Sequence, residues 1–246
     1  EKKLKEILAD IEKNKHKTFA TETRKESKEI APGLFDLTLL QRESNRKFGM
    51  SALRTLQAAQ RLYERYKLLT YPRTDSRFLP EDYLQNVHEI FKDFSEVKNE
   101  FSPFCKKVLK TGLLNKERIF NDKFVSDHFA IIPTGKQPSV KLEGDDARIF
   151  ELVLKRFIAS FMPHAVWDKV ERITEIGENY FRTRVQDLNV PGWREVYGLD
   201  SDEQTKLPKL NTSTYEKEPT SIKVNEIKPE ENATKPPPRH SEAKLL

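Results

Sequence analysis

The sequence predicts an α+β protein in which a helical domain is inserted into a β-rich one. Helical spacing of apolar residues dominates from Asp36 to Pro163, and a period of two takes over beyond Pro163. Ahead of Asp36, a stretch rich in Thr and charge fits an exposed strand. Helices bracketed by two β-leaning segments are the linear trace that such an insertion leaves.

The first element is a helix. In "EKKLKEILADIEK", Leu4, Ile7, Leu8 and Ile11 recur at the spacing of one apolar helical face. "KTFATETRKESKEI" follows as the exposed strand, and "APG" at Ala31 to Gly33 breaks the chain. "DLTLLQRESNRKFG" then reads as a helix capped at its C-terminus by Gly49, and Ser51 caps the next, "ALRTLQAAQRLYERY". In this second helix, Leu53, Leu56, Ala59, Leu62, Tyr63 and Tyr66 are the expected buried stripe. Arg54, Gln57, Arg61 and Arg65 look outward.

Pro80 suits the first position of a helix whose Glu81 and Asp82 complement the positive end of its dipole. Tyr83, Leu84, Val87, Ile90, Phe91 and Phe94 form its apolar face. Further helices are expected in "SPFCKKVLKTG" and "DDARIFELVLKRFIASF", the second stopped near Pro163. The paired aspartates of "EGDDAR" read as caps of that last helix.

In "ENYFRTRVQ", Phe181, Thr183 and Val185 face one way and Tyr180, Arg182 and Arg184 the other. "VPGW" supplies a turn and "TSIKVNEIKP" a further strand. The prolines of "KPEENATKPPPRH" make it a linker. The chain opens without Met and ends at "SEAKLL", where a helix begins, so an excised fragment is expected.

Charge and composition narrow the function classes. With 44 Lys and Arg against 39 Asp and Glu, the mild net charge of +5 suits a polyanionic partner or an ordinary solvated surface. The single cysteine, Cys105, excludes an internal disulfide and a cysteine metal cluster, fits a reducing cytosol, and is expected to pack in the core. No apolar run approaches the ~20 residues of a membrane span. A cytoplasmic protein with no membrane partner is therefore expected.

The junction "LLTYPRTDSRF", residues 68–78, concentrates polar chemistry between two helices. Pro72 fixes its own φ and disfavours the helical conformation for Tyr71, so Tyr71-Pro72-Arg73 should be extended. Residues two apart in an extended chain point the same way, which puts the Tyr71 phenol and the Arg73 guanidinium on one side. Thr74, Asp75 and Ser76 are suited to satisfying nearby backbone N–H groups or capping the next helix. A tyrosine oxygen can act as a nucleophile and a guanidinium can grip phosphoryl oxygens, but a tyrosine beside a turn can equally be a packing residue. In "SDHFAIIPTG", His128 sits at the exposed end of a turn with "AIIP" as a buried anchor.

Together "LLTYPRTDS", "SDHFAIIPTG", "LQRESNRKFGMSALRTLQAAQRLYE" and "KPPPRHSEAKLL", in that family's order, resemble the type IA DNA topoisomerases, and the Tyr-Pro-Arg form resembles the topoisomerase III branch. The resemblance implies that Tyr71 attacks a DNA phosphodiester and is joined to the 5′ phosphate, and that resealing by the free 3′ hydroxyl needs no ATP. It implies that Arg73 stabilises phosphoryl charge and that His128 helps bind the scissile phosphate. Residues 37–163 would be the tyrosine-bearing domain with a helix-turn-helix-like core. Residues 1–36 and 164–234 would be the two parts of a β-rich arch, and 235–246 the start of a further domain, with Arg239 contacting the DNA backbone. Single-stranded DNA is the implied partner of a monomer. The outward basic face of Arg42, Arg46, Arg54 and Arg61 is a candidate for contacts to it.

The family also uses Mg²⁺ bound by an acidic domain. That acidic domain has no match in these residues, so the chain itself is expected to hold no metal and, alone, to bind DNA without cleaving it. A tyrosine recombinase would carry a His-x-x-Arg pair. None of His16, His88, His128, His164 or His240 has Arg three residues on, which counts against that reading. The remaining alternative is a non-enzymatic single-stranded DNA-binding module in which Tyr71 only stacks on bases.

Overall fold

The computed structural model describes residues 2–198, 207, 210 and 219–246. In chain order its elements are α1 (Lys2–Asn14), β1 (Thr18–Glu29), α2 (Leu37–Phe48), α3 (Ala52–Glu64), α4 (Leu84–Glu96), α5 (Ser102–Thr111), α6 (Lys116–Ile119), α7 (Gly144–Ser160), β2 (Ala165–Ile176), β3 (Asn179–Val190), β4 (Thr220–Ser221) and α8 (Glu242–Leu245). Short 3-10 turns occupy Glu81–Tyr83, Asp122–Phe124 and Gly192–Tyr197. No helix among the described residues is long and apolar enough to cross a membrane.

Two compact units result. The sheet unit takes Glu1–Glu29, Val166–Val190 and the described part of Asp200–Pro237, and the helical unit takes Ile30–Ala165, Pro191–Leu199 and Pro238–Leu246. In sequence the helical unit therefore interrupts the sheet unit, as the α+β insertion requires.

The sheet runs in the order β3-β2-β1-β4. β2 and β3 form an antiparallel hairpin in register from Val166 opposite Val190 to Ile176 opposite Asn179, with one irregularity at Val166/Trp167. The two-residue turn places Gly177 at φ 59, where a Cβ would come 2.6 Å from Asp10 Oδ2. Helix α1 fills that space: Asp10 Oδ2 accepts from Asn179 Nδ2 at 2.7 Å. Arg172 is buried on Glu22, joining β2 to β1. The expected third strand shrinks to Thr220–Ser221, which pairs antiparallel with Phe19 and Ala20.

The helical unit is built around α7. Phe157 and Phe161 pack on Phe91 of α4, with centroids 4.7 and 5.5 Å away, and α7 also lies against α3. Cys105 is buried in this core, and burial pushes its thiol up to about 12, which fits a packing role. Asn115 ties the C-terminal end of α7 by donating to Ser160 O at 3.0 Å and Met162 O at 2.9 Å.

Local signals set the α2–α3 pair. Asp36 caps α2 by accepting from Leu39 N, Gly49 ends it at φ 66, and Ser51 caps α3 by accepting from Arg54 N. Helix α8 completes the turn: Glu242 Oε1 accepts from Ala52 N at 2.8 Å, and Ala243 N donates to Asn45 Oδ1 at 3.2 Å.

Three expectations differ. The buried stripe of α3 is Thr55, Ala58, Ala59 and Leu62, whereas Leu53 is exposed. Small residues are what α3 needs where α7 lies close, so the stripe is rotated towards Ala58 and Thr55. The helix after the junction begins with a 3-10 turn, with Pro80 at its cap. Asp145 and Asp146 lie in the first turn of α7 without capping it; Glu143 holds the cap position. They serve instead as charge partners for α3, as described next.

Candidate active site

The junction is held by a short two-stranded pairing. Lys67, in the left-handed region at φ 56, turns the chain after α3. The chain then runs beside 130–134: Thr70 N donates to Ile132 O at 3.0 Å, and Thr134 N to Leu68 O at 3.0 Å. The Thr70 hydroxyl bridges both directions, donating to Ala130 O at 2.9 Å and accepting from Ile132 N at 2.9 Å. Ala130, Ile131, Ile132 and Pro133 are buried, the anchor that the "AIIP" run suggests.

This pairing brings Tyr71 to His128. Their ring centroids are 4.1 Å apart with planes tilted by 37°. Thr74 Oγ1 donates to His128 O at 3.1 Å and accepts from Ser76 N at 3.1 Å, while Thr74 O accepts from Leu37 N at 3.0 Å. Ser76 Oγ donates to Phe124 O at 2.7 Å. Thr74 and Ser76 are thus buried sutures, and Asp75 between them is exposed, as alternation in an extended chain demands. None of the three caps the next helix.

Helix α3 supplies the other wall. Tyr63 meets Tyr71 edge-on at 5.5 Å between centroids. With its amide turned so that Oε1 faces the guanidinium, Gln60 accepts from Arg73 Nη2 at 3.1 Å and from Arg73 Nε at 3.2 Å. Gln60 and Tyr63 are three residues apart, hence on one helical face, so Tyr71 and Arg73 both lie along it. Tyr71 is half-buried; Arg73 and His128 are exposed. Helical spacing marks Tyr63 only as part of a buried stripe and gives Gln60 no role at the site. Their i, i+3 spacing was the available signal, but nothing local shows which residues α3 will meet.

The basic residues are placed differently from one another. Arg54 makes a bidentate pair with Asp145 and Arg61 with Asp146, both clamping α3 to the start of α7. The hydrogen bonds donated to Asp146 raise the Arg61 pKa, against the opposing effect of burial. On α2, Arg46 is exposed and Arg42 is half-buried, its Nε lacking a partner. Arg239 lies on the exposed segment leading into α8. Tyr71, Arg73 and His128 come together; Arg54 and Arg61 are engaged elsewhere. Among the described residues no group of three or more His, Cys, Asp or Glu side chains is placed to hold a metal ion.

Thr70 gives a direct check on this scaffold. Thr70→Val should leave the buried Ala130 carbonyl and Ile132 N–H without their partner, at a cost of about 1–3 kcal/mol. Urea unfolding would measure it, with Thr70→Ser expected to retain most of the stability.

An extended segment presenting Tyr71 and Arg73, with the Tyr71 ring against an exposed His128, has the donors and the hydroxyl that phosphate chemistry can use. All of residues 1–246 match the DNA topoisomerase family. The chain belongs to that family and is similar to its type IA, topoisomerase III branch. It is 35% identical over 247 residues to DNA topoisomerase 3 of Bacillus licheniformis, covering 98% of this chain and 31% of that protein. With DNA topoisomerase 3 of Bacillus subtilis it is 34% identical over 243 residues, covering 98% and 32%. The chain thus spans about a third of the length of the curated relatives it matches. Among solved structures, full-length topoisomerase I from Thermotoga maritima superposes with a TM-score of 0.57 at 21% identity, covering 83% of this chain and 33% of that one. The α+β fold is therefore that of the type IA topoisomerases.

Proposed function

We propose that this chain is the part of a type IA, topoisomerase III-like enzyme that carries the nucleophile, Tyr71, for transient cleavage of single-stranded DNA. The observation that carries the reading is the convergence of Tyr71, His128 and Arg73 on one surface, each held by contacts outside its own side chain's immediate neighbours. Gln60 occupies one edge of the Arg73 guanidinium, which leaves the other for a phosphate. The half-buried Tyr71 ring packs between Tyr63 and His128, which narrows the orientations its hydroxyl can take.

In this mechanism Tyr71 Oη attacks the scissile phosphorus, its bond to the 3′ oxygen breaks, and a phosphotyrosine to the 5′ end forms. The phenol gives up one proton and the departing 3′ oxygen gains one. Strand passage follows, and attack of the 3′ hydroxyl on the phosphotyrosine reverses each bond change. One ester is exchanged for another, so no ATP is consumed. Arg73 donors stabilise the charge on the non-bridging oxygens, and the exposed His128 binds the same phosphate.

Among the described residues no group of three or more His, Cys, Asp or Glu is placed to hold the Mg²⁺ that this reading associates with the full enzyme. We assign the metal to the remainder of a protein of the relatives' length. The sheet unit is assigned to the arch, and a cytoplasmic location follows from the bacterial relatives. Arg42, Arg46 and Arg239 are the better candidates for DNA backbone contacts, because Arg54 and Arg61 already serve Asp145 and Asp146.

The test uses the full-length protein containing this chain. It is incubated with end-labelled single-stranded DNA, the reaction is trapped by denaturation, and the adduct peptide is mapped. Label on any residue other than Tyr71, or no adduct at all, would defeat the proposal. In the same assay Arg73→Ala should slow adduct formation by about 2 kcal/mol of transition-state stabilisation, roughly 30-fold, with a smaller change in affinity.

A further inference from the structure

An open groove of about 510 Å³ lies on the helical unit, lined by Asp36, Asp75, Arg77, Lys123, Phe124 and Ser126 among others. We infer that it is a subsite for one nucleotide of the single strand flanking the scissile phosphate, with the base stacked on Phe124, the backbone phosphate on Lys123, and an exocyclic amino group of the base on Asp75. The inference rests on the reading of Tyr71 above.

Its position comes first. The groove walls continue the same two segments that carry the site: Asp75 and Arg77 follow Tyr71 and Arg73, and Ser126 precedes His128 by two residues. The segments are tied by Thr74 Oγ1 to His128 O at 3.1 Å and Ser76 Oγ to Phe124 O at 2.7 Å. The groove thus continues, along both segments, the surface that carries Tyr71 and His128.

Phe124 supplies the platform. It is 60% exposed, unusual for a phenylalanine, yet it is not loose: it stacks on Phe78 at 4.9 Å between centroids and 25° between planes. One ring face is therefore fixed against protein and the ring remains open to solvent, the arrangement that suits base stacking. Phe78 itself is held by its N–H to Ser76 Oγ at 3.1 Å and its carbonyl to Ala130 N at 3.0 Å.

The charges suit a nucleotide. Asp36 is taken by Arg77 and by the cap of α2, so its carboxylate is already neutralised. Lys123 and Asp75, both exposed, remain as one cation and one acceptor. A carboxylate accepts from the exocyclic amino groups of cytosine, adenine or guanine, whereas thymine offers only its ring N3–H, so a subsite built for an exocyclic amino group should favour those three bases over thymine.

The experiment again uses the full-length protein, with single-stranded oligonucleotides, read by affinity and by a map of cleavage positions. Phe124→Ala should weaken binding about fivefold or more and raise KM with kcat little changed, whereas Phe124→Trp should keep wild-type affinity. Lys123→Gln, a surface change that should not touch folding, should lower affinity and flatten the salt dependence. Asp75→Ala should remove the bias against thymine at one fixed position beside the cleavage point. If wild type cleaves at Tyr71 but the Phe124→Ala and Lys123→Gln variants bind and map as wild type does, the subsite is overturned and the assignment of Tyr71 stands. If wild type makes no adduct, the function proposed for Tyr71 fails, and the subsite fails with it.

Discussion

Tyr71→Phe should abolish the covalent DNA adduct in the full-length protein while leaving its folding and DNA affinity nearly unchanged. Only one hydroxyl is lost. The edge-on contact with Tyr63 and the tilted contact with His128 are made by the ring, which phenylalanine keeps. The backbone of residue 71 follows Thr70, whose hydrogen bonds to Ala130 and Ile132 are untouched. Removing a nucleophile while keeping its surroundings costs on the order of 10⁴-fold or more in rate. The adduct should therefore fall below detection, with the melting temperature within a degree or two of wild type. A labelled adduct in the Phe variant would refute the role of Tyr71. Loss of affinity equal to the loss of adduct would favour the alternative, in which the tyrosine serves binding.

What the sequence reveals of this site follows from how local each determinant is. Asp36, Gly49 and Ser51 mark the ends of α2 and α3 because capping depends on the residue itself and its backbone. Tyr71-Pro72-Arg73 is readable as extended because proline constrains its own φ and its predecessor. The separation of the exposed Asp75 from the buried Thr74 and Ser76 belongs to the same period of two.

The pairing of Arg54 with Asp145 and Arg61 with Asp146 spans 91 and 85 residues. Their spacing on α3 shows only that both face outward, and the acidic start of α7 reads locally as a cap. Only the packing of α3 on α7 turns an apparently solvated face into a clamp. Leu53 fails for the same reason: helical spacing defines a face, but the neighbour chooses how that face is rotated. The partnership of Gln60 with Arg73 likewise needs both α3 and the junction in place. The junction is legible in its backbone course and illegible in the side chains that hold it.

The chain by itself should bind single-stranded DNA, with affinity falling steeply as salt rises, yet form no adduct with or without Mg²⁺. Binding needs only phosphate contacts, which Arg42, Arg46, Arg73 and Arg239 can supply, and each contact made steepens the fall of log affinity with log salt by about 0.7 on a single strand. Cleavage needs more. A phenol is a weak nucleophile without a partner to take its proton, and a 3′ alkoxide is a poor leaving group without electrophilic help. Arg73 and His128 can bind and polarise the phosphate, but the described residues bring together no carboxylate cluster to hold a metal beside it. A half-assembled constellation keeps affinity and loses rate, because transition-state charge goes unstabilised while ground-state contacts survive. Purified chain would be incubated with end-labelled single-stranded DNA and Mg²⁺, denatured, and examined for protein-linked label. An adduct at Tyr71 would show that Tyr71, Arg73 and His128 suffice for cleavage. The division of labour between this chain and the rest of a protein of the relatives' length would then have to be redrawn.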